Sequence, residues 1–147
     1  MIVAIRPIVS TDKDRWLDLF KQYITFYKSS LTEEQFELTW NRINSDFNIN
    51  GLIAVLDGQI VGFAHYIFRP TTWDPNDFCY LEDLFVDPVV RGKGVGYALI
   101  KELENIAVSK GSKRLYWTTA PDNSTARKLY DRVAITDRVQ YKILFST

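Results

Sequence analysis

The chain has 147 residues, 46% of them apolar, which suits one domain with a real hydrophobic core and excludes a disordered chain. Lys plus Arg and Asp plus Glu both number 18, so the formal net charge is zero, which argues against a nucleic-acid binder with its usual basic excess. A single cysteine (Cys79) and a single histidine (His65) exclude a disulfide framework within the chain, a multi-cysteine zinc site and a His-rich metal site.

The apolar run in Met1-Ile2-Val3-Ala4-Ile5-Arg6-Pro7 is too short for a signal peptide, and no stretch is long enough to cross a membrane. A reduced, cytoplasmic protein without metal, membrane or nucleic-acid partner is expected. No linker, repeat or low-complexity tract divides the chain, so residues 1–147 read as one domain.

In chain order, Ile2 to Arg6 reads as a short strand ended by Pro7. Ser10-Thr11-Asp12 offers a helix start, followed by Trp16, Leu17, Phe20, Tyr23, Ile24 and Tyr27 at helical spacing. Thr32 with Gln35 three residues on is a capping-box pattern, and a second helix is predicted from there to about Phe47, with Phe36, Trp40, Ile43 and Phe47 on one face. Leu52 to Leu56 is an apolar strand, Asp57-Gly58 a hairpin signal, and Ile60 to about Phe68 the returning strand.

Pro70 to Asp77 reads as a loop, and Cys79 to Val86 as a strand stopped by Asp87-Pro88. Gly96 to about Lys110 has helical periodicity, with Gly111 as its stop. Leu115 to Thr119 reads as a strand, Asp122-Asn123-Ser124 as the cap of a short helix through Tyr130, and Val139 to Phe145 as a closing strand. The order is α/β with a mixed sheet: hairpins first, then a strand-helix-strand crossover.

Three segments carry candidate chemistry. In Arg91-Gly92-Lys93-Gly94-Val95-Gly96, glycines at alternate positions leave backbone N–H groups uncovered at a helix N-terminus, where the helix dipole adds positive potential and Arg91 and Lys93 add charge. That arrangement suits a phosphate or pyrophosphate. It matches neither a P-loop, which needs Ser or Thr after Gly-Lys, nor the dinucleotide fingerprint, which needs two residues between its second and third glycines. A tight turn that merely needs small residues is the competing reading.

Glu82-Asp83 interrupts an apolar strand. Alternation places the two on opposite faces, and an ionised group there is costly unless paired, solvated or useful, so one of them is expected to line a cleft. A salt bridge to a nearby Lys or Arg is the competing reading. On the short helix, Ala126, Leu129 and Tyr130 share a face, which either aims the Tyr130 hydroxyl at a ligand or packs its ring on the sheet. His65 lies mid-strand and is read as structural.

Together these segments resemble the GNAT superfamily of N-acetyltransferases over most of the chain. The resemblance rests on Arg91, Gly94 and Gly96 in an Arg/Gln-x-x-Gly-x-Gly/Ala turn after a strand, and on Asn123, Ala126, Leu129 and Tyr130 in an Asn-x-x-Ala-x-x-Leu-Tyr helix. Tyr80-Leu81-Glu82-Asp83-Leu84-Phe85-Val86, Val61-Gly62-Phe63-Ala64, Tyr116-Trp117 and Lys142-Ile143-Leu144 are similar to the polyamine and diamine acetyltransferases and to fungal histone/polyamine acetyltransferase-like proteins. Where the family often has Gly and a bulky apolar or aromatic residue about four positions past its helix tyrosine, Ala134-Ile135 stand here.

The resemblance implies a mostly antiparallel sheet flanked by helices, with a splayed strand pair holding acetyl-CoA. It implies direct acyl transfer to a primary amine of a small molecule such as a polyamine, diamine or amino-acid-like compound. The pyrophosphate would sit on Arg91, Gly92, Lys93, Gly94, Val95 and Gly96. The pantetheine arm would lie along Leu84, Phe85 and Val86, with Asn123 steadying it. Glu82, directly or through water, would be the general base, and Tyr130 the acid that protonates the leaving thiolate.

Asp83 would attract a second positive charge on the acceptor. Tyr23, Tyr27 and Trp73 would wall the amine pocket where their helix and loop overhang it, with core packing as the competing reading. A homodimer follows by analogy. The alternative functions are a protein or peptide N-acetyltransferase and a non-catalytic acyl-CoA-binding sensor.

Overall fold

Successive apolar strands build the sheet outward from the first hairpin. The computed structural model describes residues 2–146. Strand β1 (Val3–Pro7) pairs antiparallel with β2 (Asn50–Leu56), β2 with β3 (Gln59–Arg69), and β3 with β4 (Phe78–Val86); β4 pairs parallel with β5 (Leu115–Tyr116). The five strands lie in the order β1-β2-β3-β4-β5, the mixed, mostly antiparallel sheet that the sequence predicts. Asp57 and Gly58 join β2 to β3 with φ of 51° and 78°. Two positive φ values make the two-residue turn whose twist matches its flanking strands.

Two compact units make up the chain, one through Tyr116 and the other from Trp117 onward. In the first, helices α1 (Lys13–Phe26) and α2 (Glu33–Ile43) cover one face of the sheet, and Trp16, Leu19, Phe20, Phe36 and Trp40 bury against Ile53, Phe63 and Phe85. Helix α3 (Val95–Ser109) covers the opposite face. A Cβ at Gly62, the neighbour of Phe63, would lie 3.4 Å from Val95 and 2.9 Å from the Phe85 carbonyl oxygen, so the close approach of α3 and β4 requires glycine there. Burying side chains the size of Trp16 or Phe63 contributes about 2–3 kcal/mol each.

The second unit holds helix α4 (Ser124–Val133). Among the described residues no helix is long and apolar enough to cross a membrane.

The helix start expected at Ser10 holds, and three sequence expectations are corrected. Ser10–Asp12 is a 3-10 turn that runs directly into α1, with the buried Asp12 carboxylate accepting the Val9 N–H and both Arg6 Nη groups. Helix α2 starts at the Thr32 cap, whose hydroxyl accepts the Gln35 N–H at 3.1 Å. It stops at Ile43, short of Phe47, because Asn44 and Ser45 side chains turn back onto the Trp40 and Arg42 carbonyls. Phe47 then lies exposed under the Arg42 guanidinium rather than in the core.

The strand predicted over Leu115 to Thr119 pairs only at Leu115 and Tyr116, and the β3–β4 bulge lies two residues beyond the last position of β4 that pairs with β5. No strand forms over Val139 to Phe145: the alternating pattern is present, but these residues pair with no sheet edge and are exposed.

Candidate active site

The register of β4 decides where its carboxylates go. His65 pairs with Asp83 and Tyr66 with Leu81, so Glu82 is an extra residue without a partner, a β-bulge. The bulge switches the alternation. Leu81, opposite Tyr66, is on the α3 face, whereas Asp83 and Phe85, opposite His65 and Phe63, are on the α1 face. The expectation that Glu82 and Asp83 point to opposite faces is therefore corrected. The Glu82 carboxyl lies within the fields of Asp83, His65 and Arg69, all of the α1 face.

Glu82 is exposed as a residue, but partial burial of its carboxyl pushes it above the usual range, the Asp83 charge pushes it further, and Arg69 and His65 offset part of the rise. A carboxylate so placed is a stronger base than an ordinary one. Asp83 has no salt bridge to a Lys or Arg among the described residues; its Oδ2 lies 2.8 Å from His65 Nδ1. Arg69 stacks on the Tyr80 ring with its Cζ 4.1 Å from the centroid.

The outer edge of β4 is open beyond Tyr80, where its pairing with β5 ends. The Asp87 N–H donates to the Val61 carbonyl at 2.8 Å. Alternation along an antiparallel ladder then turns the backbone groups of Phe85 toward β3 and those of Leu84 and Val86 outward. The Phe85 side chain is buried against Phe63 and Tyr23.

Asp87 closes the strand. Its carboxylate accepts the Val89 N–H and the Arg15 Nη2, and Arg15 Nε donates to the Ile60 carbonyl, so one arginine ties α1 to both strand ends. The Val89 N–H first, and Arg15 with it, hold the Asp87 carboxyl below the usual range despite partial burial.

The turn after β4 fits a diphosphate. Gly92 and Gly94 have φ of 82° and 79°, and a Cβ at either would meet nothing within 4 Å. The small residues are thus required by backbone conformation and not by crowding, which suits a tight turn and an open diphosphate cradle alike. Gly94 caps α3 with no side-chain hydrogen bond, and the first turn carries no acidic residue, so the helix N–H groups face outward without a carboxylate competing for them. Arg91 and Lys93 stand exposed beside them, while Val95 is buried and Gly96 lies inside the helix.

In the second unit, Asn123 occupies the N-cap position of α4, and its Nδ2 donates to Thr119 Oγ1 at 3.1 Å. The Tyr130 ring, half-buried, meets Trp117 edge-on at 5.4 Å. Of the expected pocket walls, Tyr27 meets Tyr23 edge-on at 5.0 Å, and Tyr23 packs on Phe85. Trp73 is 82% exposed, on a loop that Asn76 and an Asp74–Lys113 ion pair tie to the C-terminal end of α3, away from the glycine turn.

Sequence reasoning passed over Trp16, His65 and Arg15 as parts of the site region. Only their contacts across the sheet reveal them, and no local motif signals these.

The chain matches the Acetyltransferase (GNAT) family over residues 15–134. It is 34% identical over 144 residues to the D-amino-acid N-acetyltransferase of Saccharomyces cerevisiae, covering 95% of this chain and 89% of that one. It is 35% identical over 78 residues to the thialysine N-epsilon-acetyltransferase of Bos taurus, covering 53% of this chain and 45% of that protein, just under half its length.

Among solved structures, a ribosomal-protein-alanine N-acetyltransferase from Brucella melitensis superposes with a TM-score of 0.82 at 23% identity, covering 98% of this chain and 100% of that one. An aminoglycoside acetyltransferase in complex with a CoA-bearing bisubstrate analogue superposes with a TM-score of 0.83 at 22% identity, covering 100% and 99%. At those identities the two structures share the fold. Since the family match takes in the bulged strand, the glycine turn and α4 alike, the chain belongs to the GNAT family and is an acetyl-CoA-dependent N-acetyltransferase acting on amine substrates.

Proposed function

We propose that the acceptor is a primary amine of a small molecule, a polyamine, diamine or amino-acid-like compound, and that it attacks the thioester directly. The observation that carries the reading is the β4 bulge, which sets Glu82 beside Asp83 on the α1 face with its carboxyl raised above the usual range. The relatives named for D-amino-acid and thialysine acetylation support a small amine. Direct attack is supported by Cys79, the only cysteine, which is fully buried with its thiol pushed up to about 12 by desolvation and so is no nucleophile.

Acetyl-CoA, when bound, supplies the activated acyl group. The backbone of Arg91, Gly92, Lys93, Gly94, Val95 and Gly96 would hold its diphosphate at the uncapped start of α3, and the backbone groups of Leu84, Phe85 and Val86 would hold its amide arm. An alkyl ammonium with a pKa near 10 must lose a proton before attack, and Glu82 accepts it, directly or through water. The Asp83 charge attracts the ammonium, and Tyr27 and Trp73 wall its pocket. In the second unit, Asn123 and Tyr130 enter through their helix motif: Asn123 steadies the cofactor arm and Tyr130 donates a proton to the departing sulfur.

The family match runs across both units, which supports reading residues 1–147 as one catalytic domain. The proposal extends to a homodimer, supported by Val139, Tyr141, Ile143 and Phe145, apolar, alternating and exposed, and to a cytoplasmic location, supported by the unpaired cysteine.

Thiol release from acetyl-CoA, measured against diamines, D- and L-amino acids, an aminoglycoside and a lysine-bearing peptide, tests the reading. Turnover concentrated in the small amines is expected. A peptide preference, or coenzyme binding with no acceptor turned over, contradicts it.

A further inference from the structure

Beneath the bulge lies a hydrogen-bonded chain of which only the Asp83 end has a role in acetyl transfer so far. His65 is 1% exposed, enclosed by the rings of Phe63 at 4.7 Å, Phe20 at 5.0 Å and Trp16 at 5.9 Å. Its Nε2 lies 2.9 Å from Trp16 Nε1, and its Nδ1 lies 2.8 Å from Asp83 Oδ2. An indole N–H only donates, so the imidazole nitrogen facing Trp16 must accept. The ring proton of the neutral imidazole therefore sits on Nδ1 and is donated to the Asp83 carboxylate. Trp16 occupies the only other ring nitrogen and leaves no acceptor there for a second ring proton.

The consequence is specific. A Lys or Arg in place of His65 would orient Asp83 and cancel its charge. A neutral imidazole orients the carboxylate and leaves the charge in place. His65 and Asp83 are also cross-strand partners, the first pair beyond the bulge, so their bond pins the register that makes Glu82 the extra residue.

We propose that Trp16 and His65 are positioning residues of the acetyl-transfer site: the Trp16 N–H fixes the His65 tautomer, and His65 in turn holds Asp83, and with it the bulge that presents Glu82, without neutralising the pair. The role rests on the reading of Glu82 and Asp83 as the acceptor side of the reaction.

Two measurements test it. As the chain has one histidine, ¹⁵N labelling of histidine gives one pair of ring-nitrogen signals. Near neutral pH the wild type is expected to show a protonated Nδ1 and a bare Nε2, and Trp16→Phe a mixture of tautomers. A wild-type ring protonated on Nε2 overturns the proposal without bearing on catalysis.

The second measurement separates positioning from packing. His65→Leu removes the donor to Asp83 and is expected to lower kcat/KM for the amine about tenfold or more, as loss of an outer partner commonly does. His65→Asn keeps an N–H near the Nδ1 position, so it recovers most of that rate, yet it strands the Trp16 N–H and melts below wild type. Rates that follow melting temperature across all three variants overturn the positioning role and leave a core histidine. A wild type inert toward every amine sinks the reading of the reaction, and the role with it, whatever the tautomer.

Discussion

The two halves of the site are built from different materials. The glycine turn offers backbone: two left-handed glycines, an uncapped helix start, and side chains that stand exposed. The bulge offers side chains: two adjacent carboxyls, one of them held by a buried imidazole that an indole N–H holds in turn. A diphosphate is the same in every catalytic cycle, and outward N–H groups recognise it with little help from side-chain identity. An acceptor amine needs a base of tuned strength at a fixed point, which only clamped side chains supply. The coenzyme half should therefore tolerate side-chain changes and resist backbone ones, whereas the acceptor half should resist side-chain changes.

Substitutions can break that contrast. The largest effect is expected for Glu82→Gln, with kcat/KM for the amine falling about 10²-fold or more. The wild-type profile should also show an acid limb above the ordinary glutamate value near 4.3, because the raised carboxyl must be ionised to accept a proton; the limb should vanish in the variant. A variant that keeps the limb removes Glu82 from the chemistry.

Tyr130→Phe should lower kcat by a similar order while the KM for acetyl-CoA moves by less than about twofold. Equal losses in both would make Tyr130 a binding residue. On the coenzyme side, Gly94→Val forces a side chain into φ of 79° at a cost of about 1–2 kcal/mol or more, to be read as roughly tenfold weaker coenzyme binding with the amine KM unchanged. An unchanged coenzyme affinity would mean that the turn does not need its left-handed residue.

The smallest kinetic effect is expected for Asp12→Asn, outside both halves. Its carboxyl is held below the usual range first by the Arg6 hydrogen bonds, with burial opposing and the Val9 N–H helping. A depressed folded-state pKa gives stability above the unfolded value near 3.9, and that stability is lost as the pH falls through the folded value. With Arg6 part-exposed, the variant should lose about 1–2 kcal/mol near neutral pH, and the gap to wild type should close in acid. Urea melts across pH check this, with both KM values expected to hold.

The same contrast governs what the sequence reveals. Asp57-Gly58, Gly94 and Gly111 announce their turns because a positive φ is a local demand met by local residues. The coenzyme half is readable for that reason. The bulge is not: Glu82 becomes the extra residue only through register against β3, and strand alternation read from β4 alone puts it on the wrong face. The Trp16–His65–Asp83 chain joins residues 49 and 18 positions apart, so no motif contains it. The end of α2 is hidden in the sequence because periodicity continues to Phe47 while Asn44 and Ser45 compete for the last carbonyls. Val139 to Phe145 misled for the opposite reason, since alternation describes a strand only where an edge receives it.

The most direct test of a coenzyme half independent of the acceptor half is a calorimetric titration of acetyl-CoA into wild type and Glu82→Gln. The account expects dissociation constants within about twofold of each other while turnover in the variant collapses. A dissociation constant that rises in proportion to the lost rate would contradict it.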